Sequence, residues 1–322
     1  MLKTAFPVKA YDVPGRPGLK STYQYHPGMP SNFILRASKS SVGQAGFCTQ
    51  QYFIKYVLGI KESMNDDMLR GINVHNVVEQ WYKDLNVSYA ASMRGYGMDR
   101  VLEYFFSIIP EPEESYGLGE EHHIARFINA EAKRFMNSEP EFFLPIINEK
   151  SFDAVVEFDG TLVHLTGIID RAFLSESGHL HIHELKTGKC MDKYGKPKKK
   201  KIEAMAEEMA YYLFLLNKSE DPSLGGVEAG YWGWDFTGHD EGIQRFREPV
   251  RIPPIQAMKD SIRDLIRMHS NYTGGTNGSP FPLLPEKSTE YICEPWCRVK
   301  GYCPRYHRVL MSYDTREDSP EE

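Results

Sequence analysis

The chain has 322 residues, 41% of them hydrophobic and 25% charged, with a mean hydropathy of −0.47. That length holds a real core and, as a prior, about two domains or one core with insertions, and the composition is too polar for an integral membrane protein. A net charge of −6 excludes a general histone-like binder, so any attraction to phosphate must come from a local patch.

The opening MLKTAFPVKAYDVPGRPG lacks the apolar stretch of a signal peptide, and no run reaches the roughly 20 residues that cross a bilayer. A cytoplasmic protein without a membrane partner is expected. Residues 1–37, rich in Pro, Gly and Tyr, read as an extended N-terminal arm. Apolar residues at three- and four-residue spacing then predict helices over Val42–Ile60, Asn65–Leu85, Asp99–Ile109 and Glu120–Met136, a helical part spanning 42–137. From Phe152 to Lys186 the pattern changes to the short β-rich runs FDAVVEF, TLVHLTG, IIDRAFL and HLHIHEL, an antiparallel meander. IEAMAEEMAYYLFLL returns to helix, VEAGYWGWDF to strand, and Pro253–Asn271 to helix, which completes a core over 150–270. A Gly/Pro/Ser/Thr-rich connector leads to a cysteine cluster at 290–306, and the acidic tail 307–322 is expected to be disordered.

The densest chemistry lies in TGIIDRAFLSESGHLHIHELKTGK. If Ser175 pairs with His179, Gly178 takes the left-handed position of a three-residue hairpin loop. That register sets Asp170 opposite Glu184, with Cβ atoms about 5 Å apart, close enough for two carboxylates to grip one divalent cation. Lys186 shares their face, where it can orient an attacking water and stabilise a pentacoordinate phosphate. An ordinary surface salt bridge fits the same spacing. His179, His181 and His183 alternate onto the opposite face, as a polar face covered by another element. His75, on a helix, can complete a site of two carboxylates and would favour Mn over Mg.

Five cysteines are too few for a disulfide scaffold, so their spacing carries the information. Cys293, Cys297 and Cys303 lie within YICEPWCRVKGYC, where Pro295 and Gly301 permit tight turns. A close trio needs a fourth ligand, for which Cys48 and Cys190 are the candidates, and Cys48, outside the hairpin region, is favoured. Four thiolates suit an iron-sulphur cluster or structural zinc, and a remote cysteine with a close trio is commoner in cluster proteins.

A remote cysteine, a helical G-x-x-x-H, a G-x-x-D hairpin followed by E-x-K, and a C-terminal cysteine trio together resemble PD-(D/E)XK nucleases. Within that superfamily the chain is similar to RecB/AddB-like iron-sulphur exonucleases, including the CRISPR-adaptation-associated branch and its phage-encoded relatives. The likeness runs over about 38–306. It implies an α/β, restriction-endonuclease-like core with a central mixed β-sheet flanked by helices, plus a helical N-terminal region and the cysteine cluster. It implies exonucleolytic cleavage of DNA with Mg2+ or Mn2+, His75, Asp170, Glu184 and the Leu185 carbonyl as metal ligands, and Lys186 as the catalytic lysine. Cys48, Cys293, Cys297 and Cys303 would hold a 4Fe-4S cluster, with structural Zn2+ the alternative, although the first gap in the trio is one residue wider than C-x-x-C. The family's Gln-x-x-x-Tyr helix aligns with Glu208 and Tyr212, where Glu208 replaces the glutamine. Recombination, phage-replication or CRISPR-adaptation proteins are the partners such a nuclease implies.

Lys193, Lys196, Lys198, Lys199, Lys200 and Lys201 follow the hairpin directly and supply the local phosphate attraction that the net charge denies. Arg171, beside Asp170, is expected to touch DNA or to pair with an acidic neighbour. Aromatic residues of VEAGYWGWDF would stack on bases or fill the core. The rival expectation is a non-catalytic nucleic-acid-binding or assembly module with a structural zinc, against which the intact Asp, Glu and Lys set argues.

Overall fold

The computed structural model describes residues 8–62, 64–111, 117–192, 196, 198–219, 221, 228–239, 242–249, 252–276, 278–294 and 297–305. Lys193, Pro295 and the acidic tail lie outside the described residues. The chain divides into two compact units interleaved in sequence. One gathers Met1–Ser63, Asp153–Thr166 and Ile255–Glu322; the other gathers Met64–Phe152 and Gly167–Pro254.

In the first unit, residues 11–38 carry three strands: β1 (Tyr11–Asp12), β2 (Lys20–Thr22) and β3 (Phe33–Ser38). β1 is antiparallel to β2 and β2 parallel to β3. β3 runs parallel to the start of a long strand, β5 (Thr161–Leu174), with Leu35 opposite Val163. The predicted helix over 42–60 is three pieces: α1 (Lys39–Phe47), α2 (Thr49–Tyr52) and a π-helical turn, Phe53–Val57. Cys48 interrupts it with an extended backbone, φ −159° and ψ 111°, a break that the continuing apolar spacing conceals. α8 (Ile252–Ser270) contributes Ile262 and Leu265 to the core of this unit, where Tyr52, Phe53 and Phe281 are also buried.

The second unit begins with α3 (Asp66–Asp84), whose N-cap Asn65 accepts a hydrogen bond from the Met68 amide and whose first turn carries Asp66 and Asp67. Both features favour a helix start at this point. α4 (Val87–Met93), α5 (Met98–Ser107) and α6 (Glu120–Met136) follow. Val74, Trp81, Phe105, Phe127, Phe135 and Phe143 form their shared core, and the Trp81 indole N–H donates to the Phe105 carbonyl at 3.0 Å. The period-two runs after Ile147 become β4 (Ile147–Phe158), β5 and β6 (His179–Lys186), and TLVHLTG and IIDRAFL are one continuous strand. α7 (Lys199–Lys218) leads to β7 (Glu228–Phe236) and β8 (Gln244–Pro249). β5 is antiparallel to β6, β6 parallel to β7, and β7 antiparallel to β8. This is the mixed α/β arrangement of a restriction-endonuclease-like core, with a mixed sheet flanked by helices. Among the described residues, no helix is long and apolar enough to cross a membrane.

Candidate active site and cysteine cluster

The hairpin closes in the register its loop length predicts. The Ser175 amide donates to the His179 carbonyl at 2.9 Å, Gly178 takes φ 78°, and Arg171 lies opposite His183. One residue beyond that last pair on each strand stand Asp170 and Glu184, close enough for the charge of one to act on the other. Both carboxylates are buried, at 8% and 0% exposure. Burial, followed by the charge of Glu184, pushes the Asp170 carboxyl up to about 6 against the pull of His75 and Lys186. The Asp170 side chain also accepts from the Leu185 amide at 2.9 Å, which fixes its direction.

His75 reaches this carboxylate from α3. Its Nδ1 lies 2.9 Å from Glu149 and 3.6 Å from Asp170 Oδ2, and its Nε2 lies 3.0 Å from the Leu185 carbonyl. Every one of these neighbours is an acceptor, so the geometry calls for protons on both ring nitrogens. Burial opposes that charge, yet the Glu149 hydrogen bond and the Asp170 charge outweigh it and raise the imidazole above its usual range. Ligand atoms of His75, Glu149 and Asp170 all lie within 4.8 Å of one another. A cluster of acceptors that already gathers a positive charge fits a divalent cation in its donor set, nitrogen plus carboxylate oxygen.

Glu149 is the residue that sequence reasoning misses. It stands in β4 with φ 47°, a left-handed backbone that is rare for a residue with a side chain. Such a kink breaks the strand alternation, so no period-two pattern marks it. The only available signal is its position, an acid just upstream of the β-rich runs.

Lys186 completes the set. Its ammonium donates to Glu184 Oε2 at 2.9 Å and lies 3.6 Å from Glu208 Oε1. Glu208 and Tyr212 come from α7, one turn apart, and Tyr212 is buried. Burial, then the charges of Glu184, Asp170 and Glu208, drive the Tyr212 phenol far above its usual range, so it stays protonated. A Cβ at Gly167 would come within 3.0 Å of Leu215 and 3.2 Å of the Tyr212 ring, which accounts for glycine three residues before Asp170.

Of the two expectations for Arg171, the structure shows the pairing with an acidic neighbour and not an exposed side chain that could reach DNA. Strand alternation turns it away from Asp170, leaving it 2% exposed and 3.0 Å from Asp235. On that reverse face His183 is also buried, 3.8 Å from Asp235. Trp232 and Trp234 are buried as core, whereas Tyr231 is exposed. The lysine run is divided. Lys196, Lys198, Lys199 and Lys200 are exposed, with Lys199 and Lys200 opening α7. Lys201 folds inward, donating to the Lys189 carbonyl at 2.8 Å and lying 4.8 Å from the Phe236 ring.

In the first unit, Cys48, Cys293, Cys297 and Cys303 line one small pocket with Ile54, Leu283 and Leu284. No disulfide joins them. Burial raises the Cys48 thiol, and Cys293 and Cys303 raise it further, as expected of sulphurs crowded together. Cys190, the other candidate, belongs to the second unit, where its thiol lies 3.4 Å from His239 Nε2.

A family model described as the PD-(D/E)XK nuclease superfamily matches residues 36–304, and the chain belongs to that superfamily. Its members are nucleases that use divalent metals, and the His75, Glu149 and Asp170 cluster lies inside the matched span. Among solved structures the chain is similar to the protein SSO0001, with 14% identity, a TM-score of 0.34, and coverage of 72% of this chain and 84% of that one. It is also similar to a protein from Eubacterium rectale described as a candidate exonuclease, with 12% identity, a TM-score of 0.39, and coverage of 71% and 79%. No curated protein matches the chain significantly.

Proposed function

We propose that the chain is a divalent-metal-dependent DNA exonuclease of the RecB/AddB-like iron-sulphur branch, acting on DNA ends or single strands. The observation that carries this reading is the convergence of His75, Glu149 and Asp170 within 4.8 Å, in the same unit as Lys186. His75, Glu149 and Asp170 would hold Mn2+ or Mg2+, with Glu184 and the Leu185 carbonyl beside them. A bound divalent ion supplies Lewis-acid chemistry to a phosphodiester. Lys186, held by Glu184 and near Glu208, places an ammonium where negative charge develops on phosphorus oxygens and can orient the attacking water. Tyr212, kept protonated, can donate a hydrogen bond into the same space. Exposed Lys196, Lys198, Lys199 and Lys200 offer phosphate contacts next to the hairpin. Cys48, Cys293, Cys297 and Cys303 would bind a 4Fe-4S cluster as a staple, supported by their common pocket.

The test is a time course on single- and double-stranded DNA labelled at either end, with Mg2+, Mn2+ or EDTA. Wild-type protein should release nucleotides from ends only with the divalent ion. Asp170→Asn keeps an acceptor for the Leu185 amide, and Lys186→Met removes the ammonium while keeping an apolar stem of similar length; each should lower the rate by about a thousandfold at an unchanged unfolding temperature. Cleavage by either variant at the wild-type rate rules the assignment out.

A further inference from the structure

α3 has apolar residues on two sides. Val74, Val77, Val78 and Trp81 face the core, as in any amphipathic helix. Met68, Leu69 and Ile72 instead stand in solvent, at 38%, 37% and 46% exposure. Together they make a small apolar surface on consecutive turns of one helix.

Their position relative to His75 narrows what it can meet. Met68 and Ile72 precede His75 by two turns and one turn, so helical periodicity sets all three along one stripe. With a rise of about 1.5 Å per residue, Met68 lies only about 10 Å along the axis from the imidazole. Gly71 lies on the same side, and a Cβ there would come 3.8 Å from Thr187 Oγ1, so the stripe borders the loop that follows Lys186. A strand that presents a phosphodiester to His75 and runs along α3 toward its N-terminus lays its neighbouring nucleotides over this surface. The large apolar parts of a nucleotide are the faces of its base, and in a duplex those faces are covered by stacking.

We propose that Met68 and Ile72 form an apolar ridge that packs against unpaired bases next to the scissile phosphate. The ridge acts by hydrophobic contact rather than by charge and gains nothing from a fully stacked duplex. This rests on the nuclease reading of the His75 site and names side chains that would meet the bases there.

The experiment measures binding of a fluorescein-labelled single strand of ~15 nucleotides to the full chain by anisotropy, with Ca2+ as the divalent ion. The double variant Met68→Ser/Ile72→Ser should bind about tenfold more weakly, with an unchanged slope of affinity against salt because no phosphate contact is lost. The conservative pair Met68→Leu/Ile72→Val should bind within about twofold of wild type. A strand of abasic nucleotides should cost the wild type about tenfold and the Ser variant little more, since the lost contact is the same one. All variants should keep the wild-type unfolding temperature, as expected for exposed side chains. The proposal falls if the Ser variant binds as tightly as wild type, if abasic strands weaken both proteins equally, or if the substitution changes only the oligomeric state. Cleavage with ridge-independent binding would retain the nuclease and remove the ridge. Base-dependent binding through the ridge without cleavage would do the reverse.

Discussion

At His75, one ring meets the acceptors Glu149, Asp170 and the Leu185 carbonyl, and that excess of negative character favours a proton on the ring. A divalent ion and that proton compete for the same ring. Because the imidazole is raised above its usual value, it is charged below the raised value and available as a ligand above it. Metal affinity should therefore climb as pH rises through the raised value, with a proton released from His75 and, at mildly acidic pH, part of another from Asp170. Titration calorimetry of Mn2+ in two buffers of different ionisation enthalpy reads that proton directly. His75→Gln should reduce the release to the part that Asp170 supplies and weaken Mn2+ binding by about tenfold or more, whereas pH-independent binding by the wild type would disprove the competition. The residue scale also marks the limit of sequence reading. The facing of Asp170 and Glu184 follows from a three-residue loop and strand alternation, both local. Glu149 depends on one left-handed backbone position and on a helix more than seventy residues upstream, and neither leaves a trace in spacing.

Across elements, the reverse face of the hairpin is organised by charge. Glu131 of α6 accepts from Tyr82 at 2.8 Å and Arg134 at 2.6 Å, while Arg245 of β8 lies 3.1 Å from Glu131 and 2.6 Å from Asp235. Arg171 joins through Asp235. Burial would raise Glu131, but Arg134 and then Arg245 overcome it and hold the carboxyl at about 2, against 4.5 for the free side chain. A depressed folded value stabilises the fold above the unfolded value, and that stability is lost as pH falls from about 4.5 through about 2. That difference corresponds to about 3 kcal/mol. Guanidinium unfolding at pH 7, 4 and 3 should show that loss in the wild type. Glu131→Gln should be less stable at pH 7 by about 3–5 kcal/mol, because it takes the carboxylate from Arg134 and leaves Arg245 with Asp235 alone, and should have a shallower dependence over the acid range. Parallel pH curves for the two proteins would show that Glu131 is not the group responsible. Period two alone already turns Arg171 away from Asp170. That α6 and β8 cover the other face is not legible, since Glu131 and Arg245 meet Arg171's partner only through the tertiary fold. Capped helices such as α3 read well, whereas α4, at seven residues, is too short for its spacing to register.

For the molecule as a whole, the boundary between units is invisible in composition because each unit is assembled from segments distant in sequence. The chain between Cys48 and Cys293 contains the entire unit built from Met64–Phe152 and Gly167–Pro254. A metal centre holding both cysteines would close that span, and by analogy with cross-link entropy its loss should cost about 5 kcal/mol. Extended Cys48 and the trio already line one pocket, and binding requires loss of thiol protons, which burial holds more firmly on Cys48 and Cys297. Cys48→Ser should lower the unfolding temperature by about 10 °C or more, whereas Asp170→Asn, which leaves the pocket untouched, should not. Absorbance at roughly 400 nm in anaerobically purified protein, absent from Cys48→Ser, identifies an iron-sulphur cluster, and a colourless protein with stoichiometric zinc identifies the alternative. If Cys48→Ser unfolds at the wild-type temperature with its metal content unchanged, Cys48 is not a ligand and the clip does not exist.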